Sequence, residues 1–177
     1  MKALVTAFLP FNKSLNNYSM EVLNYISDVD KVVLDVIYDK SYDDLIKQFN
    51  LNEYDLIIAL GEARMREKLT LELQAKNISS CSLPDNLGII KKDEVIDLNY
   101  PKTIKTNVDV SVVSDLIDYS MDAGKFVCNN LYFHLVKNYP DKSIFIHIPN
   151  CGDEVNQYQK HALTINKIIN KILEKRK

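Results

Sequence analysis

Short apolar runs rich in β-branched residues alternate along the chain with segments in which apolar residues recur every three or four positions. The first pattern is typical of buried strands, and the second is typical of amphipathic helices. Strands are predicted at 2–8, 31–37, 54–60 and 143–148, and helices at 17–26, 41–49, 108–120, 125–138 and 153–175. Gly61 is expected to end the third strand. Strands that alternate with helices predict an α/β/α sandwich with a mostly parallel, twisted central sheet.

Residues 68–77 show a different pattern, because leucines at positions 69, 71 and 73 alternate with polar residues. Strict alternation predicts a strand with one exposed face. Glu72 falls on the face opposite the leucines, so by itself it is interpreted as a residue on the solvent side of a strand. A turn-rich loop is expected at 82–88.

Length and charge narrow the class of protein. The chain of 177 residues is predicted to form one domain, 1–177. Its net charge of −2 gives no reason to expect nucleic acid or a membrane surface as a partner. The apolar stretch at the N-terminus is too short for a signal peptide, and no segment reaches the roughly 18 apolar residues of a membrane helix.

Three cysteines, Cys81, Cys128 and Cys151, do not make an even disulfide framework, and no C-x-x-C pair suggests a metal site. The protein is therefore expected in the cytoplasm, where thiols stay reduced. Cys128 falls in the first turn of the predicted helix 125–138, where unpaired N–H groups and the helix dipole favour a thiolate and lower the thiol pKa. That position suits a nucleophile, although an inert buried thiol is an open alternative.

His147 interrupts the apolar strand 143–148 near its carboxyl end. In parallel α/β sheets the carboxyl ends of the strands border the ligand crevice, so His147 is a candidate site residue. A core histidine with one hydrogen-bonded nitrogen is the alternative.

Five short motifs occur in order between residue 2 and about residue 149. They are the turn 6–11 (TAFLPF), the spaced set Gly61, Arg66, Glu72 and Asn77, the loop 84–88 (PDNLG), the segment 120–129 (SMDAGKFVCN) and the strand end 145–149 (FIHIP). In this combination the chain resembles the pyroglutamyl peptidase I family, also called pyrrolidone-carboxylate peptidases.

The resemblance implies a cysteine exopeptidase that removes an N-terminal pyroglutamyl residue from a small peptide with a blocked N-terminus. Cys128 would be the nucleophile that forms a thioester, His147 the general base and Glu72 the residue that orients His147. Backbone N–H groups near Cys128 would hold the oxyanion, with Arg66 nearby. No metal or organic cofactor is required.

The resemblance also places a pocket for the flat lactam ring between Phe8 and Phe11, with Asn17 as a hydrogen-bonding partner. Ordinary core packing is the alternative for both phenylalanines. A buried lactam needs such a partner, because an unmatched polar group costs about 1–3 kcal/mol.

Several positions depart from the family pattern. Ala7 and the pair Asn12-Lys13 replace glycines, and residues 62–65 lack the usual leucine, proline and second glycine. Glu62 and Arg64 are interpreted as a surface ion pair, with contact to an unusual substrate as the alternative. The chain is also shorter in three loop regions, which weakens the expectation of the homo-oligomer, a tetramer, that is common in the family.

Three functions are consistent with these observations. The first is a pyroglutamyl exopeptidase. The second keeps the same triad but acts on another small N-terminal acyl or lactam group. The third is a catalytically silent descendant that binds a peptide or protein, which would have no chemical need for Cys, His and Glu together.

Overall fold

The computed structural model describes residues 1–176, which contain eight strands and four α-helices. The strands are β1 (Ala3–Phe8), β2 (Asp30–Leu34), β3 (Leu56–Glu62), β4 (Thr70–Glu72), β5 (Gln74–Lys76), β6 (Thr103–Lys105), β7 (Asp118–Ser120) and β8 (Ser143–Ile148). The helices are α1 (Tyr18–Asn24), α2 (Lys40–Gln48), α3 (Val127–Asn138) and α4 (Val155–Glu174). Within the described residues, no helix is both long enough and apolar enough to cross a bilayer.

Six strands form one sheet in the order β2-β1-β3-β8-β4-β7. The first four of these are parallel, whereas β4 runs antiparallel to β8 and parallel to β7. Strands β5 and β6 form a separate antiparallel pair. The predicted α/β architecture with a mostly parallel central sheet is confirmed.

Apolar side chains cover both faces of this sheet. Val5 and Ile58 belong to a core that also contains buried residues of α1 and α4, whereas Leu4 and Ile57 belong to a second core with residues of α2 and α3. Successive side chains of a strand point to opposite faces, so a strand that is covered on both faces needs an unbroken apolar sequence. This requirement explains the apolar runs that predicted β1, β3 and β8.

Gly61 does not end the third strand, contrary to expectation. β3 continues through Gly61 to Glu62, and Gly61 pairs with His147 in the ladder between β3 and β8. A glycine is needed there for space: a Cβ on Gly61 would lie 2.6 Å from Cζ of Phe145 and 2.8 Å from Sγ of Cys128. The glycine therefore permits a close approach of α3 to the sheet rather than a turn.

The predicted helix at 108–120 is wrong. A 3₁₀-helix occupies only Val110–Val113, and the segment ends in strand β7, which pairs with β4. Val113 and Ile117 are buried at a spacing that fits a helix, but an irregular segment also carries both into the core. The apolar spacing in this segment reflects which side chains are buried and does not indicate a helix.

The strand predicted at 68–77 is also different from expectation, because it divides into β4 and β5 and its polar face is covered. Glu72 is fully buried, since α3 packs over the face of β4 that was expected to be exposed. The hydroxyl of Tyr132 in α3 donates a hydrogen bond of 2.7 Å to the backbone carbonyl of Glu72.

Replacing Gly61 with alanine should destabilise the protein, because the added methyl would press on a buried ring and on Cys128. We expect the free energy of unfolding to fall by about 1–3 kcal/mol, measured by chemical denaturation. Gly88→Ala is the matched control, since its Cβ meets open space and only its positive φ of 81° adds strain. An equal loss in both variants would contradict an origin in tight packing.

Candidate active site

A cavity of about 110 Å³ lies where β1, β3 and β8 end, next to the start of α3. Most of its lining is apolar or lacks a side chain, and the polar side chains that reach it are Asn17, Glu62, Cys128 and His147. The structure therefore brings Cys128 and His147, which are 19 positions apart in the sequence, to one cavity. Its place at the carboxyl ends of parallel strands is the usual ligand position in an α/β sheet.

Cys128 is the second residue of α3, as the sequence predicted for a residue in the first helical turn. The pKa of the Cys128 thiol is raised rather than lowered, contrary to expectation. Burial, followed by the negative charge of Glu62, raises the pKa of the Cys128 thiol to about 12, although the backbone N–H of Cys128 acts in the opposite direction. The sulfur is therefore a neutral thiol near neutral pH, and it needs a base.

His147 lies near the end of β8 and is buried. Its Nδ1 lies 2.7 Å from Oε1 of Glu72, so Nδ1–H donates to the carboxylate and Nε2 is the nitrogen left to accept a proton. The ring of Phe145 packs against the imidazole edge to face, with centroids 4.9 Å apart. These two contacts fix both the tautomer and the orientation of the ring.

Glu72 is a buried carboxylate, not the exposed residue that its strand pattern suggested. Burial acts to raise its pKa, but the hydrogen bond from His147 and the charges of His147 and Arg66 outweigh it and hold the pKa below the ordinary value. Oε1 contacts both His147 and Arg66, while Oε2 has no hydrogen-bond partner among the described residues. Glu72 is therefore ionised and can act as the counter-ion of a protonated His147.

Arg66 does not line the cavity, so its predicted place beside the substrate is not where the structure puts it. Its Nη2 lies 2.6 Å from Oε1 of Glu72 and donates to the carbonyl of Asp122 at 2.8 Å. Arg66 instead compensates the buried charge of Glu72.

Phe8, Phe11 and Asn17 all line the cavity, as expected for a small-ring pocket. Phe8 is buried, and the Phe11 ring lies 5.7 Å from that of Phe126, which is another cavity residue. Asn17 caps α1, with its Oδ1 accepting from the backbone N–H of Ser19. The cap fixes the asparagine at the cavity wall.

Glu62 lines the same cavity, and its interpretation as half of a surface pair is wrong. Its side chain is only 4% exposed, and Nε of Arg64 lies 2.7 Å from its Oε1. The Glu62–Arg64 ion pair exists, but its carboxylate is buried. The preceding residue, Gly61, pairs with His147, which places Glu62 at this end of the sheet, and the sequence alone does not show that pairing.

An α/β sandwich in which a cysteine at a helix start and a histidine held by a buried carboxylate line one cavity has the arrangement of a cysteine hydrolase. The family model for pyroglutamyl peptidase matches residues 1–174, and the chain belongs to this family.

Known relatives support this assignment. A pyrrolidone-carboxylate peptidase of Staphylococcus aureus is 31% identical, with 88% of this chain and 82% of that protein aligned. One from Staphylococcus saprophyticus is 28% identical, over 95% of this chain and 88% of that protein.

Solved structures of related peptidases superpose on this chain along nearly its whole length. A mutant pyrrolidone carboxyl peptidase from Pyrococcus furiosus superposes with a TM-score of 0.84 at 25% identity, covering 100% of both chains. Pyroglutamyl peptidase I from Bacillus amyloliquefaciens gives a TM-score of 0.80 at 25% identity, covering 97% of this chain and 92% of its own.

Glu62→Gln should make Cys128 easier to deprotonate, because it removes a negative charge that raises the pKa of the thiol. We expect the pH profile of Cys128 alkylation by iodoacetamide to shift to lower pH, as followed by mass spectrometry of the Cys128 peptide. Cys81, outside the cavity, is the internal control and should keep its profile. An unmoved profile for Cys128 would show that its sulfur does not feel the Glu62 charge.

Proposed function

We propose that this cysteine peptidase removes an N-terminal pyroglutamyl residue from peptides, with Cys128 as nucleophile, His147 as general base and Glu72 as the residue that orients His147. The observation that carries the proposal is the 2.7 Å contact between His147 Nδ1 and a fully buried Glu72 at a cavity that Cys128 also lines. Family membership supports the same assignment.

The reaction would begin with a neutral thiol. As the sulfur of Cys128 attacks the pyroglutamyl carbonyl carbon, its proton passes to Nε2 of His147, and Glu72 stabilises the imidazolium. The carbonyl oxygen becomes an oxyanion that unpaired backbone N–H groups at the start of α3 can hold. His147 then protonates the departing amine as the carbon–nitrogen bond breaks, which leaves a thioester on Cys128.

Water completes the cycle. His147, again neutral, removes a proton from a water molecule that attacks the thioester carbonyl, and the released thiolate recovers its proton from the imidazolium. The sequence of steps uses no metal and no organic cofactor.

The dimensions of the cavity favour a small acyl group. A volume of about 110 Å³ is below the roughly 300 Å³ at which pockets begin to hold drug-sized ligands, so a single small ring is the appropriate occupant. Phe8, Phe11 and Phe126 offer apolar faces to such a ring. The peptide that follows the acyl group must extend out of the cavity, which fits an exopeptidase.

The second candidate, hydrolysis of another small N-terminal acyl group by the same residues, is favoured by one observation. Glu62 lines the acyl cavity and its side chain is buried, and a carboxylate there would also attract a ring that carries a cationic amine, such as prolyl. A silent binding protein is disfavoured, because burying Glu72 beside Arg66 and His147 serves no purpose in simple binding.

We place the activity in the cytoplasm and in one domain, which the three free cysteines and the whole-chain family match support.

The direct test is hydrolysis of a fluorogenic pyroglutamyl amide under reducing conditions. We expect turnover by the wild type and background rates for Cys128→Ser, because the hydroxyl is a far weaker nucleophile. A prolyl amide separates the two enzyme candidates. Preference for prolyl would reject the pyroglutamyl assignment while keeping the nucleophile, and turnover of any substrate by Cys128→Ser would reject the nucleophile.

Glu72→Gln should lower kcat by about 10²–10⁴-fold, because a neutral amide cannot stabilise the imidazolium or fix its tautomer. The measurement is steady-state kinetics on the same pyroglutamyl amide. Glu67→Gln, the same change at an exposed position in the preceding loop, is the matched control and should retain wild-type kinetics. Loss of less than about tenfold in Glu72→Gln would contradict the orienting role.

A further inference from the structure

Apart from Cys128 and His147, only two of the described residues line the acyl cavity with polar side chains, Asn17 and Glu62. A lactam ring carries one carbonyl and one N–H, and each needs a partner when the ring is buried. The hydrogen bonds that Asn17 and Glu62 already make therefore determine which of them can serve which group.

Asn17 has only donor capacity left. Its Oδ1 accepts from the backbone N–H of Ser19 at 3.0 Å and from the Ser19 hydroxyl at 2.7 Å, which occupies both lone pairs. Its Nδ2 donates one hydrogen to the carbonyl of Leu9 at 3.1 Å, so one hydrogen remains. Asn17 can donate to a ring carbonyl but cannot accept from a ring N–H.

Glu62 has only acceptor capacity, as an ionised carboxylate. Its Oε2 accepts from the backbone N–H of Tyr18 at 2.7 Å and lies 3.4 Å from Nη2 of Arg64. Its Oε1 accepts from Nε of Arg64 at 2.7 Å, which leaves one lone pair on Oε1 free. These partners hold the carboxylate in place before any ligand arrives, so it is a preorganised acceptor.

We propose that Glu62 is a specificity-determining residue that accepts a hydrogen bond from the ring N–H of the acyl group. This inference rests on the proposed function and adds to it that the cavity recognises the ring N–H of the substrate. Asn17 and Glu62 together offer one donor and one acceptor, which matches a lactam and not a carbocycle of the same shape.

The test compares the pyroglutamyl amide with the 3-oxocyclopentanecarbonyl amide, in which CH₂ replaces the ring N–H and the ketone is retained. The wild type should prefer the lactam in kcat/KM by about 10–100-fold, because the carbocycle leaves the Glu62 acceptor unmatched. Glu62→Met, which has a similar length and no strong acceptor, should reduce this preference to about twofold. Glu62→Gln, whose amide oxygen can still accept, should keep most of it.

Lys13→Met is the control for an indirect effect through the loop that carries Phe11, because Lys13 is an exposed residue of that loop. It should affect both substrates alike and preserve the preference. Circular dichroism and thermal unfolding establish that each variant is folded.

Two results would overturn the inference. One is an unchanged preference in Glu62→Met, and the other is a wild type that hydrolyses both amides equally well. If the wild type hydrolyses neither, while Cys128 still reacts with iodoacetamide, the proposed function itself has failed rather than the role of Glu62.

Discussion

The burial of the Glu72 carboxylate is the constraint on which the arrangement of the site depends. An isolated charge inside a protein is too costly unless opposite charges and hydrogen-bond donors compensate it. Arg66 and His147 both meet Oε1, and Tyr132 fixes the backbone of the same residue. The contacts that compensate the buried charge of Glu72 also fix the imidazole of His147. One set of contacts therefore meets both the structural requirement, compensation of a buried charge, and the proposed catalytic requirement, orientation of the base.

The close packing of α3 on the sheet supplies the second half of the site. Helix α3 can place Cys128 beside the end of β8 only because β3 has no side chain at Gly61, which is opposite His147 in the ladder. A nucleophile at a helix start and a base at a strand end are thereby fixed by rigid elements rather than by loops. Precision of this kind matters, because proton transfer from sulfur to imidazole depends on distance and alignment.

Strong periodic patterns in the sequence predicted the central strands, the terminal helix, and Cys128 and His147 as candidates from their places at element ends. The resemblance added Glu72, which its own strand pattern had assigned to solvent. What could not be predicted depends on coverage by distant elements: α3 covers Glu72, and β4 recruits Asp118–Ser120 as a strand from a segment with helical spacing. The exposure of Glu62 was misjudged for the same reason, since an acidic residue next to an arginine also describes an ordinary surface pair.

Glu62 has two effects on the site that oppose each other. Its charge helps to raise the pKa of the Cys128 thiol, which disfavours a free thiolate, while its preorganised oxygen is the proposed acceptor for the substrate. A ring N–H bound to Glu62 would place positive hydrogen density between that carboxylate and the rest of the cavity, and so would weaken its influence on the sulfur. Binding of the correct ring would then ease removal of the thiol proton by His147. Recognition of the acyl group and activation of the thiol would thus be coupled through one side chain.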